Sequence, residues 1–185
     1  MNPNLQKIRA GTTNRNNITV DKKSGRITSS YSDRKSIECF LMPIEAYYGL
    51  AEELFRIFGD DYWYIMQKAG EGVGSIAAKS FPKRTLELTK AIKIGFNGSS
   101  QWGFGRYELK EIDIQNGRVV FELHDSVFEY CVESNKKFVE EQYFLIGFYK
   151  RFYSVIFDKE VYCKYSRFIN NDRPYYRFEV MVRYH

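Results

Sequence analysis

FVEEQYFLIGFYKRFYSVIF, residues Phe138–Phe157, is the stretch that decides the fold. Val139, Tyr143 and Ile146, then Phe144 and Phe148, then Tyr149, Phe152, Tyr153 and Ile156 recur at helical spacing. Charge is confined to Glu140, Glu141, Lys150 and Arg151. A helix this apolar around its circumference belongs in a core, not on a surface. Two strand-like runs follow at once, Lys159–Ile169 and Tyr175–Tyr184, joined through Asn170-Asn171-Asp172-Arg173-Pro174. The remaining chain reads as material that covers this helix–hairpin unit.

Immediately upstream, Phe104–Ile114 and Arg118–Leu123 alternate with the period of strands. Gln115-Asn116-Gly117 lies between them, and Asn-Gly between alternating runs is a strong hairpin signal. Further upstream the period becomes helical. Pro43 opens a helix, where a missing N–H costs nothing. Ile44, Tyr47, Tyr48, Ala51, Leu54, Phe55 and Phe58 form its apolar face, and Gly59 ends it. Asp60 or Asp61 is expected to cap a second helix with Tyr62, Ile65, Met66, Ala69, Val73, Ile76 and Ala77 on one face. Ser80-Phe81-Pro82 breaks it, and Leu86, Leu88, Ala91, Ile92 and Phe96 predict a third. At the N-terminus, residues 1–16 read as a flexible tail. Ile18–Val20, Arg26–Tyr31 and Ser36–Met42 read as strands, with Lys23-Ser24-Gly25 as a turn. The expectation is α+β: an N-terminal β-arm, then a helical layer packed on a meandering antiparallel sheet with one buried late helix. Residues 17–185 form a single domain in this reading, with 17–42 the N-terminal strands and 43–185 the body.

A chain of 185 residues suffices for one full core. Its aromatic content of 17% implies either a very aromatic core or an aromatic-lined cavity. The net charge of +5 permits contact with nucleic acid or an anionic surface without arguing strongly for it. Cys39, Cys131 and Cys163 are widely spaced, which predicts reduced thiols and a cytoplasmic setting. No secretory signal pattern is visible at the N-terminus, and Tyr143–Tyr149 is too short an apolar run to span a bilayer.

Candidate chemistry is sparse. Gly70-Glu71-Gly72-Val73-Gly74 lies inside a helical pattern, follows no strand and lacks the Gly-Lys-Ser/Thr ending of a phosphate loop. Close helix packing is the better reading. His124-Asp125-Ser126 holds the residue types of a hydrolytic triad, but neighbours on a strand point to opposite faces. Cys131 and Cys163 are read as buried thiols ahead of a metal site or disulfide. RYELKEIDI and YYRFEVMVRY expose Arg, Lys and Glu as a solvated sheet does, with nucleic-acid binding the weaker option. No nucleophile with its base can be named, so no catalytic residue and no cofactor are predicted.

MPIEAYYGLAEELFRIFG, YIMQKAGEGVG, WGFGRYELKEIDIQNGRVVFELHDSVF and FLIGFYKRFYSVIFDKEVYCKYSRFINNDRPYYRFEV carry a resemblance. Together they span roughly Met42–Val180, and they resemble the 4-vinyl-reductase domain family of small ligand-binding domains. Haem–nitric-oxide-binding domains and subunits of the TRAPP tethering complex are similar in architecture. The resemblance implies a homodimeric sensor or regulatory module that holds a small apolar or aromatic molecule and signals through its dimer or a regulatory protein partner. A structural tethering module without ligand is the alternative. Several family members carry zinc. Laying this chain on that pattern puts Gln142, Cys163, Phe168 and Tyr176 at the four ligand positions. One thiolate cannot make a tetrahedral site, so no metal is expected. The aromatic residues predicted to line a ligand cavity are Trp63, Met66, Trp102, Phe104, Phe128, Phe144, Phe148, Tyr149 and Phe152. The same residues can equally pack as a closed core.

Overall fold

The computed structural model describes residues 43–79, 88–89, 92–93, 104–127, 129, 142–171 and 173–184, and the backbone of 5–8, 17–21, 27–32 and 35–39. The chain divides into two compact units, Met1–Pro43 and Ile44–His185. The division falls at the proline expected to open the first helix.

The first unit is a four-stranded antiparallel sheet in chain order: β1 (Leu5–Ile8), β2 (Asn17–Asp21), β3 (Ile27–Ser32) and β4 (Lys35–Cys39). Strand β1, Leu5–Ile8, lies inside the segment read from sequence as a tail, and it pairs with Ile18–Asp21. Alternation over four residues is too short a pattern to register in sequence, and only the partner strand reveals it. The turn at Lys23-Ser24-Gly25 lies outside the described residues.

The second unit begins with α1 (Ile44–Phe58) and a single 3-10 turn at Gly59–Asp61. Gly59 takes the left-handed conformation (φ 54°) that ends a helix, as expected. Helix α2 (Tyr62–Lys79) follows directly. Its buried residues are Tyr62, Met66, Gly70, Gly74 and Ala78, a stripe at spacing four. This differs from the predicted face, because Val73 and Ile76 are exposed. The reason is the partner helix, α3 (Tyr143–Phe157), on which Leu145, Gly147, Phe148, Tyr149, Phe152 and Tyr153 are buried. A methyl group on Gly70 would strike the Phe144 carbonyl, one on Gly74 the Phe148 carbonyl, and one on Gly147 the Gln67 carbonyl. The two backbones touch at these glycines, as the close-packing reading of Gly70–Gly74 expected, and Val73 and Ile76 turn away from the contact. Helix α3 also starts later than Phe138: Gln142 is its N-cap, with ψ 39°. Of the predicted third helix, 88–89 and 92–93 are helical, Ile92 is buried, and the rest lies outside the described residues.

The second sheet contains β5 (Arg106–Asp113), β6 (Arg118–His124), β7 (Val161–Asn170) and β8 (Arg173–Val182). All pairs are antiparallel and the order is β5-β6-β8-β7, so the last strand is central. The fold is therefore α+β. On the inner face, Val119, Phe121 and Leu123 of β6 lie opposite Val180, Phe178 and Tyr176 of β8. Helix α3 covers this face, with Leu145, Tyr149, Phe152 and Tyr153 packed in the same core. Burying side chains of this size stabilises the fold by roughly 1.5–3 kcal/mol each. The Asn116-Gly117 hairpin forms as read: Gly117 has φ 59°, and Asn116 donates to both Asp113 carboxylate oxygens at 3.0 and 2.6 Å. Among the described residues no helix is long and apolar enough to cross a membrane.

Candidate functional site

The candidate site is the layer between α3 and the inner face of the sheet. Its floor is aromatic. Phe121 and Phe178 stack across the central strands with centroids 5.2 Å apart. The Tyr149 ring meets both edge-on, at 4.6 Å from Phe121 and 5.3 Å from Phe178. These arrangements suit the quadrupoles of the rings and add to simple burial.

What sets this core apart is its polar tips. The Tyr149 hydroxyl donates to the Tyr107 hydroxyl at 2.6 Å, tying α3 to edge strand β5. Tyr153 is buried one turn further along α3, close enough to Cys163 of β7 for the two to interact electrostatically. Burial pushes the phenols of Tyr107, Tyr149 and Tyr153 and the thiol of Cys163 up from their ordinary values, so all four are neutral at physiological pH. Tyr176 carries a buried hydroxyl beside the Arg167–Glu129 ion pair, without a well-formed hydrogen bond to either. Gln142 is 2% exposed, and its amide nitrogen and oxygen have no partner among the described residues.

The residues predicted to line a cavity divide into groups. Tyr149, Phe148 and Phe152 are buried in the main core, and Phe148 and Phe152 stack at 5.8 Å. Phe104 packs against Phe144 at 6.1 Å. Met66 belongs to a smaller cluster with Ala51 and Tyr62. Phe144 packs against both clusters and joins them. Trp63 sits at the surface, 44% exposed, with its ring 6.0 Å from Tyr143. Trp102 and Phe128 lie outside the described residues, as does Cys131.

At the positions that the zinc pattern assigns, Cys163 is a free, half-buried thiol held neutral, Tyr176 is buried, and Phe168 is 38% exposed. A different ligating group converges on the outer face of the sheet. Glu108, Glu122 and His124 bring one ligand atom each within 4.8 Å of one another. Cations already hold these carboxylates: Lys110 lies 3.0 Å and Arg177 2.8 Å from Glu122, and Lys110 lies 2.7 Å from Glu108. The His124 ring stacks on Tyr175 and its Nε2 faces Glu122 at 3.1 Å, away from any triad with Asp125 and Ser126. Lys164 with Glu179, Arg118 with Glu111 and Arg183 with Glu160 are paired likewise. These charges neutralise one another on the sheet.

No family model matches the chain, and no curated protein matches it. A solved sensory domain shares its fold. The crystal structure of the phenol-responsive sensory domain of the transcription activator PoxR, with phenol, superposes with a TM-score of 0.64. The match covers 89% of this chain and 84% of the other, at 15% identity. At that identity the likeness is one of architecture.

Sequence reading missed Tyr107 and Tyr153 as parts of the site and saw Gln142 and Tyr176 only as failed metal ligands. A signal existed for Tyr153, which follows Tyr149 at helical spacing. None existed for Tyr107, because strand alternation does not say which phenol meets which.

Proposed function

We propose that this chain is a small-molecule-binding sensory domain of the 4-vinyl-reductase type. It holds a small apolar or aromatic molecule between α3 and the sheet, and it signals through a second copy of itself or a regulatory protein partner. One observation carries the reading: an aromatic core layer edged with neutral hydroxyl, thiol and amide groups, of which the Gln142 amide and the Tyr176 hydroxyl lack a well-formed hydrogen bond among the described residues. Ligand sites are mostly apolar concavities with a few placed polar groups. The phenol-responsive domain of similar fold supports the same class of ligand. The homodimer is supported by the exposed apolar side chains of α1 and α2, among them Leu50, Ile57, Tyr64 and Ile76, each more than half exposed.

Thermal unfolding with phenol, toluene and indole tests the ligand, since a molecule that binds only the folded state raises the melting temperature. Native mass spectrometry of freshly purified protein tests for a co-purified molecule. Shifts with the aromatic probes are expected. No shift with any probe and no added mass would overturn the sensor reading. Light scattering is expected to return twice the chain mass at micromolar concentration; a monomer mass would count against the dimer.

The close stacking of Phe148 on Phe152 favours a second reading, a structural interaction module whose layer is filled by its own side chains. Phe148→Ala separates the two. A closed core should lose roughly 3–5 kcal/mol. A layer that opens onto a ligand cavity should lose less and change its uptake of an environment-sensitive apolar dye.

A further inference from the structure

Among the described residues, Gln142 has an unmet hydrogen-bonding demand on both ends of its amide. Nearly all buried polar groups in folded proteins have partners. Leaving a donor or acceptor unmatched costs about 1–3 kcal/mol. Capping does not account for this residue, because its side chain makes no hydrogen bond to the first turn of α3. Its position on the helix does. Gln142, Leu145, Tyr149 and Tyr153 follow at spacings of three, four and four, the stripe of α3 that faces the sheet. Helix α3 runs opposite to β7, and Tyr149 rests on Phe178 of β8. The N-terminal end of the helix therefore lies toward Tyr176, two residues earlier on the same face of β8. The Tyr176 hydroxyl, the second buried polar group without a well-formed hydrogen bond among the described residues, is at that end.

Resting on the sensory reading above, we propose that the Gln142 amide anchors the polar end of the ligand. We further propose that the ligand is a neutral molecule whose hydroxyl, or a group of like character, both donates and accepts. An amide offers two donors and an acceptor, and both kinds are unmet here. A methyl group answers neither, and a carboxylate answers only the donors. The stripe itself and the inner-face groups that meet it are uncharged: Tyr107, Tyr149, Tyr153 and Cys163 carry hydroxyls and a thiol. The nearest charges, Arg167 and Glu129 beside Tyr176, already neutralise each other, so an ionised ligand would gain no free counter-ion from them.

The test compares phenol, toluene and benzoate, three single rings that differ in one substituent, by calorimetric titration of the full chain. The same titrations are run on Gln142→Leu and Gln142→Met. The wild type should bind phenol about tenfold more tightly than toluene, the worth of one matched hydrogen bond pair, and benzoate more weakly still. Both variants should lose that preference, with toluene bound at least as tightly as phenol. Both should also melt higher than the wild type without ligand, because an unmatched amide has been replaced by an apolar side chain. An unchanged phenol preference, or variants that melt lower, would overturn the anchor while leaving the sensory reading intact. Benzoate binding tighter than phenol would also overturn it, making the helix start an anion site. Absence of binding by all three probes to every form would overturn the sensory reading and the anchor with it.

Discussion

The Tyr149 hydroxyl donates to the Tyr107 hydroxyl at 2.6 Å across the layer between α3 and β5. The two residues are 42 positions apart; Tyr149 is buried and Tyr107 partly buried against the same core. Tyr149→Phe removes the donor and keeps the ring. It should destabilise the domain by about 1 kcal/mol in urea unfolding. Tyr107→Phe should behave similarly, and the double variant should lose less than the two single losses added, since the shared bond is lost only once. Strict additivity would show that the pair does not couple helix to strand.

Alkaline pH should unfold the protein through these phenols. Burial raises the folded-state value for Tyr107, Tyr149 and Tyr153 above the ordinary 10.0. The stabilisation linked to the protonated phenols is fully present below the unfolded value and is lost as pH rises from there through the folded values. Stability should therefore fall steeply above about pH 10. Tyrosinate absorbance should appear for these three only together with loss of structure. Their ionisation in a folded protein would contradict the burial.

The glycines of α2 should separate sharply on replacement by alanine. Gly72 has nothing within 4 Å of the added methyl, so Gly72→Ala should stabilise the helix by about 0.5–1 kcal/mol. Gly70→Ala and Gly74→Ala must push α3 away, because the methyl meets carbonyl groups of Phe144 and Phe148 that cannot swing aside. Gly147→Ala strikes α2 in return, at Gln67. Each of these three should cost about 1–3 kcal/mol or more, the usual penalty of overpacking. Melting temperatures of the four variants are the measurement, with Gly72 as the internal control.

Acid should loosen the outer face of the sheet through Glu122. Burial alone would raise its carboxyl, but hydrogen bonds from Arg177, Lys110 and His124 outweigh that and hold it below the ordinary carboxylate value. A depressed folded value means that the stabilisation is present above the unfolded value, about 4.3, and is lost as pH falls from there through the folded value. Glu122→Gln should reduce stability at neutral pH by roughly 1–2 kcal/mol, moderated because Arg177 and Lys110 remain open to solvent. It should also flatten the acid limb of the stability–pH curve. An unchanged acid limb would show that other carboxylates govern it.

The sequence by itself determined the main helices and strands of the Ile44–His185 unit and their kind. The apolar residues all round Tyr143–Phe157 already required a buried helix, and Asn116-Gly117 required a hairpin. Pro43 and Gly59 bracketed the first helix through their own backbone chemistry. These are local decisions, made by periodicity and by allowed backbone angles, so they can be read from neighbours in the chain. Only the tertiary structure decided which surfaces meet. It placed β8 between β6 and β7 and turned Val73 and Ile76 outward, because glycines let α2 and α3 touch at the backbone. It also paired Tyr149 with Tyr107, surrounded Glu122 with cations and left the Gln142 amide buried without a partner among the described residues. Residues dozens of positions apart make or withhold those contacts. Whether a hydroxyl or amide is satisfied depends on the atoms around it in space, and no pattern along a single segment encodes that.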